Sequence, residues 1–247
     1  VAKVTGLGHL LLVGGVNVSG DITALDEITG SAEELECTGI DKSAKERLLG
    51  PRDGLITATS WFNPDRAHAS FAALPTSDVH VMYVAGSAIG DPAACMVAKQ
   101  ANYAPTREDD GSLTAETEFL SNAYGLEWGH LLTAGIRSDT SATNGSPLDF
   151  GASIATTNFG LQAYVQVLSF TGTSCTITIQ ESSDNSGDTY AAVTGGAFTA
   201  ATAAGAERIQ TTRALAVERY LRVTTSGTFS ECSFVVAVAK NLTSVAF

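Results

Sequence analysis

Charge is scarce in this chain. Only 16% of its 247 residues are Asp, Glu, Lys or Arg, against roughly 25% in an average globular protein. Gly, Ala, Ser and Thr fill the gap. So thin a charge layer predicts a surface largely covered in an assembly, although secreted-type β-sandwiches share this composition. Cysteine and histidine are scarce too, at four each. Cys37, Cys95, Cys175 and Cys232 are far apart with no CxxC pair, and the last three sit among apolar residues, the setting of buried free thiols. His9, His68, His80 and His130 lack the spacing of a zinc ligand set. Walker loop, GxSxG elbow, HExxH pair and dinucleotide fingerprint are all missing. The sequence therefore assigns no catalytic residues, no metal ligands and no cofactor. No run approaches the roughly 20 apolar residues of a membrane helix. Residues 1–7 carry a single Lys, and the apolar run 10–13 is too short for a secretory core.

Basic residues are outnumbered. Net charge is −12, and it is uneven: residues 1–125 hold 17 acidic and 8 basic side chains, residues 126–247 hold 9 and 6. Affinity for nucleic acid comes mainly from Lys and Arg neutralising phosphates. That balance argues against a sequence-reading DNA binder, whereas a wall past which DNA slides is compatible.

What the chain has in quantity is period-two alternation. Leu113, Ala115, Thr117 and Phe119 alternate with Thr114, Glu116, Glu118 and Leu120; Cys175, Ile177 and Ile179 alternate with Thr176, Thr178 and Gln180. Val217, Leu221 and Val223 share a face, as do Cys232, Phe234, Val236 and Val238. Such runs are strands with one buried face. Asp110-Gly111, Ser186-Gly187, Gly195-Gly196 and Ser226-Gly227 mark turns between them. The fold class expected is mainly β. One helix is predicted over 64–74, with Asn63 as cap, Pro64 in the first position and Pro75 past the end. Residues 41–49 read either as a second helix or as a polar hairpin arm. Residues 138–147, rich in Ser, Thr, Asn and Gly, read as a hinge between domains 1–137 and 148–247.

The halves also echo each other. Gly8-His9-Leu10-Leu11 returns as Gly129-His130-Leu131-Leu132, and Ile56-Thr57 as Ile177-Thr178, both at an offset of about 121 residues; Phe71-Ala72-Ala73-Leu74 is matched by Tyr190-Ala191-Ala192-Val193. Either the β domain is duplicated, or the first domain is followed by an unrelated sandwich. The matched His9 and His130 are expected to be satisfied structural side chains. The run 184–188 faintly echoes a calcium loop but lacks its bidentate Glu, so a turn is expected. Arg208, Arg213, Arg219 and Arg222 are expected to pair across strands or a subunit boundary.

Ser60-Trp61-Phe62-Asn63-Pro64, the run from His68 to Pro75, Asp91-Pro92-Ala93-Ala94-Cys95, Asn102-Tyr103 and Asp110-Gly111-Ser112-Leu113 together resemble the tail tube proteins of actinobacterial siphoviruses. Lys45-Glu46-Arg47 and Arg52-Asp53-Gly54 fit the same pattern. The resemblance is firmest over residues 16–135. It is looser beyond 150, where Gly195-Gly196-Ala197-Phe198, Arg219-Tyr220-Leu221-Arg222 and Thr228-Phe229 carry it. It implies a β-sandwich or half-barrel with one flanking helix, forming rings that stack into the tube through which double-stranded DNA passes. The expected location is the virion tail. Expected partners are other copies of the chain, with tape-measure, tail terminator and baseplate proteins, and no membrane. Three duplicated chains or six simple ones would complete a six-fold ring. Glu116 and Glu118 are the candidate lumen-facing carboxylates. Asp41, Lys42, Lys45, Glu46, Arg47 and Arg52 form the candidate ring-stacking arm, and residues 1–7 and 242–247 are further candidates for locking neighbours.

Three other readings compete. A different virion part, such as a tail terminator or capsid decoration protein, would be favoured by loss of polymerisation. A carbohydrate-binding β-sandwich would show exposed aromatics on one face, but aromatics are 7%, and Trp61 and Trp128 sit in apolar contexts that suggest core. A hydrolase on a β scaffold would need a paired-carboxylate or His-containing site, and no spacing supports one.

Overall fold

Alternation of the kind described above needs partners on both sides of each strand. The computed structural model, described for residues 5–185 and 190–244, supplies them with fourteen strands and one α-helix. In chain order these are β1 (Leu10–Val13), β2 (Val16–Asn17), β3 (Ile22–Glu36), β4 (Arg47–Trp61), α1 (Ala67–Phe71), β5 (Val79–Val84), β6 (Pro92–Arg107), β7 (Leu113–Ser121), β8 (Glu127–Leu131), β9 (Arg137–Asp139), β10 (Leu148–Asp149), β11 (Leu161–Ser182), β12 (Ala191–Ala197), β13 (Gly205–Gln210) and β14 (Tyr220–Lys240). Their ladders form one sheet network with the main path β12-β11-β14-β8-β6-β5-β1-β2, and β3, β4 and β7 branch from it. The mainly β class expected from the alternation is what the chain adopts.

The chain divides into two compact units, and neither is continuous in sequence. A major unit holds the chain up to Gly20, His80–Cys95 and everything from Trp128 onward; a minor unit holds Asp21–Val79 and Met96–Glu127. The hinge expected at 138–147 does not separate them. β9 pairs with β14 through Cys232↔Asp139 and Phe234↔Arg137, and Gly145 N donates to the Val223 carbonyl at 2.8 Å. Nor do all the matched segments share a structure, since Phe71 ends helix α1 while Ala191 opens strand β12.

In the major unit, β11 and β14 pair from Leu161↔Lys240 to Ser182↔Tyr220, with register shifts between Val167 and Ser174. Gly172 lies in that shifted stretch, and a side chain there would put Cβ 2.4 Å from Phe229 Cα. Val165, Ile177, Ile179, Val223, Phe234 and Val236 fill the core with Cys175 and Cys232. Both thiols are free. Burial and the neighbouring Cys175 push the Cys232 thiol up to about 12, so it stays protonated and inert. A buried glutamine anchors the N-terminal strands: Gln166 Oε1 accepts from Gly15 N at 2.7 Å and its Nε2 donates to the His80 carbonyl at 2.8 Å.

The minor unit is a four-stranded antiparallel arrangement, β3-β4-β7-β6, with α1 on one face. Phe71 packs 5.8 Å from the Phe119 ring and 6.2 Å from the Tyr103 ring, and Gln100 Nε2 donates to the Phe71 carbonyl at 2.7 Å. The helix is shorter than predicted. Asn63 Oδ1 accepts from Asp65 N and the Asn63 carbonyl from His68 N, so residues 63–66 form a capping turn and regular α bonding begins later. Leu74 takes φ +39° just before Pro75, which bars the α region there.

The two tryptophans overturn an expectation. Trp61 is 50% exposed and Trp128 54%, so neither is core. Trp61 ends β4 on the face of Thr57 and Thr59, opposite the buried Ala58 and Ser60. Trp128 lies on β8 beside the equally exposed His130, two residues along the same face.

Candidate functional site

Strand β7 lies between β4 and β6, with Glu116 opposite Thr59 and Ala104, and Glu118 opposite Thr57 and Asn102. Ala115, Thr117 and Phe119 are buried toward α1, so the alternation turns both carboxylates to the other face; Glu116 is exposed and Glu118 half-buried. Strand β3 adds two more. Its register shifts between Leu25 and Glu27, which leaves Asp26 extra in the ladder; Asp26 Oδ2 accepts from the Thr59 hydroxyl at 2.9 Å. Glu27 stands opposite Thr57 and accepts from the Thr29 hydroxyl at 2.6 Å. One sheet face thus carries Asp26, Glu27, Glu116 and Glu118 around Thr57 and Thr59. The nearest lysine along the ladder, Lys99, is already held by Asp78 at 2.7 Å and by the Thr76 carbonyl. Sequence reasoning found the β7 pair and missed the β3 pair, because a bulge breaks the period that would have placed Asp26 and Glu27 on the same face.

The open alternative at 41–49 resolves as a hairpin. β3 and β4 stay paired out to Glu36↔Arg47, and Cys37 N still donates to the Glu46 carbonyl at 3.0 Å. Asp41 and Lys42 lie in the tip, where Lys42 N donates to the Gly39 carbonyl. Lys45 pairs with Glu36 at 2.7 Å, Arg47 with Glu34, and Lys42 with Glu46 at 3.5 Å. Arg52 stands opposite Ala32 near the base. All six expected arm residues are exposed, and exposed pairs of this kind contribute ~1 kcal/mol or less each. Among them, Leu35, Ile40, Leu48 and Leu49 also face solvent, Leu49 at 77%. A bare two-stranded ribbon is marginal in water. Its root is fixed instead by close packing: Gly30 and Gly54 are paired, and Leu126 lies over both. A Cβ on Gly54 would sit 2.6 Å from Leu126 N. Gly54→Val is therefore expected to destabilise the protein by about 1–3 kcal/mol and to expose the 37–46 segment to protease. Chemical denaturation and limited proteolysis check this, and a wild-type midpoint would sink it.

Among the described residues, β3 pairs with β4 alone, leaving a fifteen-residue edge. Three register shifts and Glu33, Glu34 and Glu36 interrupt it, devices that restrict which strand can add there.

Other polar residues singled out in the sequence are occupied structurally. His9 Nδ1 meets the Tyr83 hydroxyl at 2.6 Å, and His130 Nδ1 donates to the Gly90 carbonyl at 3.0 Å. Arg222 bonds Gln180 and stacks on Tyr190 at 3.8 Å, while Arg208 bonds the Tyr164 hydroxyl and Gln210. Arg219 grips Asp149 at 2.6 and 2.7 Å. That contact, with the Gly151 amide, holds the Asp149 carboxyl down to about 2. Residues 186–188 of the turn lie outside the described residues, as do residues 1–4 and 245–247 of the two terminal locks.

Lys240 is the one buried lysine among the described residues. Its Nζ donates to the carbonyls of Glu218 (2.7 Å), Ile154 (3.2 Å) and Ala155 (3.3 Å), and lies 5.0 Å from the Phe150 ring centre. Burial lowers its pKa to about 8 despite the opposing pull of Glu218 and Glu181. Between about 8 and the ordinary value of 10.5, the unfolded chain holds this proton more tightly than the folded one. Stability should therefore rise with pH across that window, relative to Lys240→Met. Denaturation midpoints of both proteins at several pH values give the difference, and parallel curves would refute it.

No family model and no curated protein matches this chain. Thirteen chains of solved structures do. A chain from the virion of a native gene transfer agent particle shares 17% identity, covering 48% of this chain and 94% of that one, at a TM-score of 0.36. The Dit protein of phage SPP1, described as a paradigm of the hub adsorption apparatus in phages infecting Gram-positive hosts, shares 13% over 97% of this chain and 100% of its own, at 0.36. A chain of the phage P2 baseplate in its activated conformation with Ca shares 9% over 95% and 99%, at 0.37. These likenesses are too remote to transfer a role, so the functional reading rests on the hairpin, the open edge and the acidic face.

Proposed function

We propose that this chain is a structural subunit of a long-tailed bacteriophage, polymerising into stacked rings that form the tail tube for double-stranded DNA. The observation that carries the reading is the β3–β4 hairpin, a rooted ribbon that presents four large apolar side chains and mixed charges to solvent. Nothing within the minor unit covers it, and a contact with a neighbouring subunit would. The free edge of β3 suits lateral pairing: a head-to-tail contact whose rotation closes makes a ring and removes the open edge. The face bearing Asp26, Glu27, Glu116 and Glu118 suits the lumen, since carboxylates repel phosphate and leave DNA mobile. The residue patterns that resemble siphovirus tail tube proteins support the same reading. Three duplicated chains or six simple ones would complete the ring, and tape-measure, terminator and baseplate proteins would bound the tube.

Negative-stain electron microscopy of the purified protein, with rotational averaging of end views, tests this. Hollow tubes or stacked rings are expected, and a monomer at every concentration would overturn the reading. Tryptophan is a common anchor of subunit contacts, and Trp61 and Trp128 are the only two in the chain, so emission should shift to the blue on polymerisation, and the single variants Trp61→Phe and Trp128→Phe should show which of the two carries the shift. Unchanged emission in wild-type tubes would place both side chains outside the contacts.

A further inference from the structure

We infer that the major unit carries a binding site for a neutral polyhydroxyl ligand of single-sugar size, in the cavity beside Arg137. The site is separate from the hairpin and the acidic face, so it stands whether or not the chain builds tubes. The cavity measures about 240 Å³. That is slightly under the roughly 300 Å³ where drug-sized pockets begin, and it suits one sugar ring better than a chain. Ile89 and Leu132 give it an apolar wall, and Thr143, Asn144 and Ser146 a polar one.

The charge pattern selects the ligand class. Arg137 looks at first like an anion receptor, but its guanidinium is committed. Nε and Nη2 hold both oxygens of Asp139 at 2.9 and 2.7 Å, Nη1 donates to the Val223 carbonyl, and Nη2 also donates to the Thr143 carbonyl. The buried carboxylate cancels the buried cation, so an incoming anion finds no net charge. The groups left over are neutral. Thr143 donates its hydroxyl proton to the Ser141 carbonyl at 2.8 Å, which leaves its oxygen as an acceptor. The Asn144 amide and the Ser146 hydroxyl are exposed and have no hydrogen-bond partner among the described residues. They offer donors and acceptors side by side, the mixture that sugar hydroxyls require. The apolar wall can take the C–H face of the ring.

The site is also preformed. Thr143 N donates to the Thr225 hydroxyl at 3.1 Å, and Gly145 N to the Val223 carbonyl at 2.8 Å. Glycine is needed there, because a Cβ would lie 2.3 Å from Arg137 Nη1. A loop already pinned on the guanidinium loses little freedom when a ligand arrives.

Saturation-transfer NMR with glucose, galactose, N-acetylglucosamine and inorganic phosphate, each at millimolar concentration, tests the site on the full chain. At least one sugar should bind with a millimolar dissociation constant, and phosphate should neither bind nor compete. Asn144→Ala/Ser146→Ala, confined to exposed positions, should weaken binding about tenfold. Ala134→Phe, which fills the mouth, should abolish it, with the melting curve reporting that the variant folds. Absence of any sugar signal would overturn the site. Phosphate competition would overturn the neutral class. Sugar binding that survives both variants would put it elsewhere on the molecule.

Discussion

Excising residues 33–51 and joining Ala32 to Arg52 through an Asn-Gly turn is expected to yield a folded protein that forms single rings and no tubes. The cut is matched to the register, since Ala32 and Arg52 are directly paired, and a two-residue Asn-Gly turn suits the twist of such a pair. The root survives, because the Gly30–Gly54 pair and Leu126 lie below the cut. No buried residue is removed, and only Thr38, Gly39 and Gly50 are even half-buried, so the melting temperature should move little. What is lost is Leu35, Ile40, Leu48 and Leu49 with their surrounding charges. Full burial of a large aliphatic side chain contributes about 1.5–3 kcal/mol, and four per subunit around a ring is enough to decide whether rings stack. Leu48→Lys/Leu49→Lys should give the same defect without shortening the arm. Electron microscopy and sedimentation velocity read both variants. Tubes of normal length from the excised protein would refute the stacking role.

How far the sequence discloses this arrangement depends on the range of the interactions involved. The alternation in β7 places Glu116 and Glu118 on one face without any knowledge of β4 or β6, because strand period is local. The hairpin at 41–49 stays ambiguous in sequence: Lys42, Lys45, Glu46 and Arg47 fit an exposed helix as well as an exposed ribbon, and only pairing with residues 34–37 decides. Asp26 and Glu27 are hidden by a bulge. The division into units is hidden more deeply, since β6 runs from Pro92 in one unit to Arg107 in the other and both units are discontinuous. Trp61 and Trp128 mislead for a related reason. A large aromatic ring suggests burial, yet alternation turns the ring out while Ser60 beside Trp61 is buried and Glu127 and Gly129 beside Trp128 are half-buried. Residues 138–147 mislead most, because small polar residues suit a flexible linker and an ordered loop on a buried ion pair equally well.

That ion pair carries the largest single-residue effect expected in the fold. Asp139 is 6% exposed and the Arg137 side chain 14%. The pair is bidentate, the Thr225 hydroxyl donates to Asp139 Oδ2 at 2.7 Å, and the guanidinium lies 5.4 Å from the Phe234 ring centre. Arg137→Ala would leave a buried carboxylate with a hydroxyl as its main support and would free the Val223 and Thr143 carbonyls of a donor. Breaking such a pair from one side costs about 3–5 kcal/mol, a large share of the ~5–15 kcal/mol that holds a domain together. Arg137→Met/Asp139→Leu removes both charges and should recover a good part of the loss, because the penalty comes from the stranded charge more than from the missing attraction. Urea denaturation of the two variants separates these terms. If the single variant loses less than about 1 kcal/mol, the flat cost typical of surface pairs, then water reaches Asp139 and residues 138–147 open in solution, as the composition of that segment first suggests.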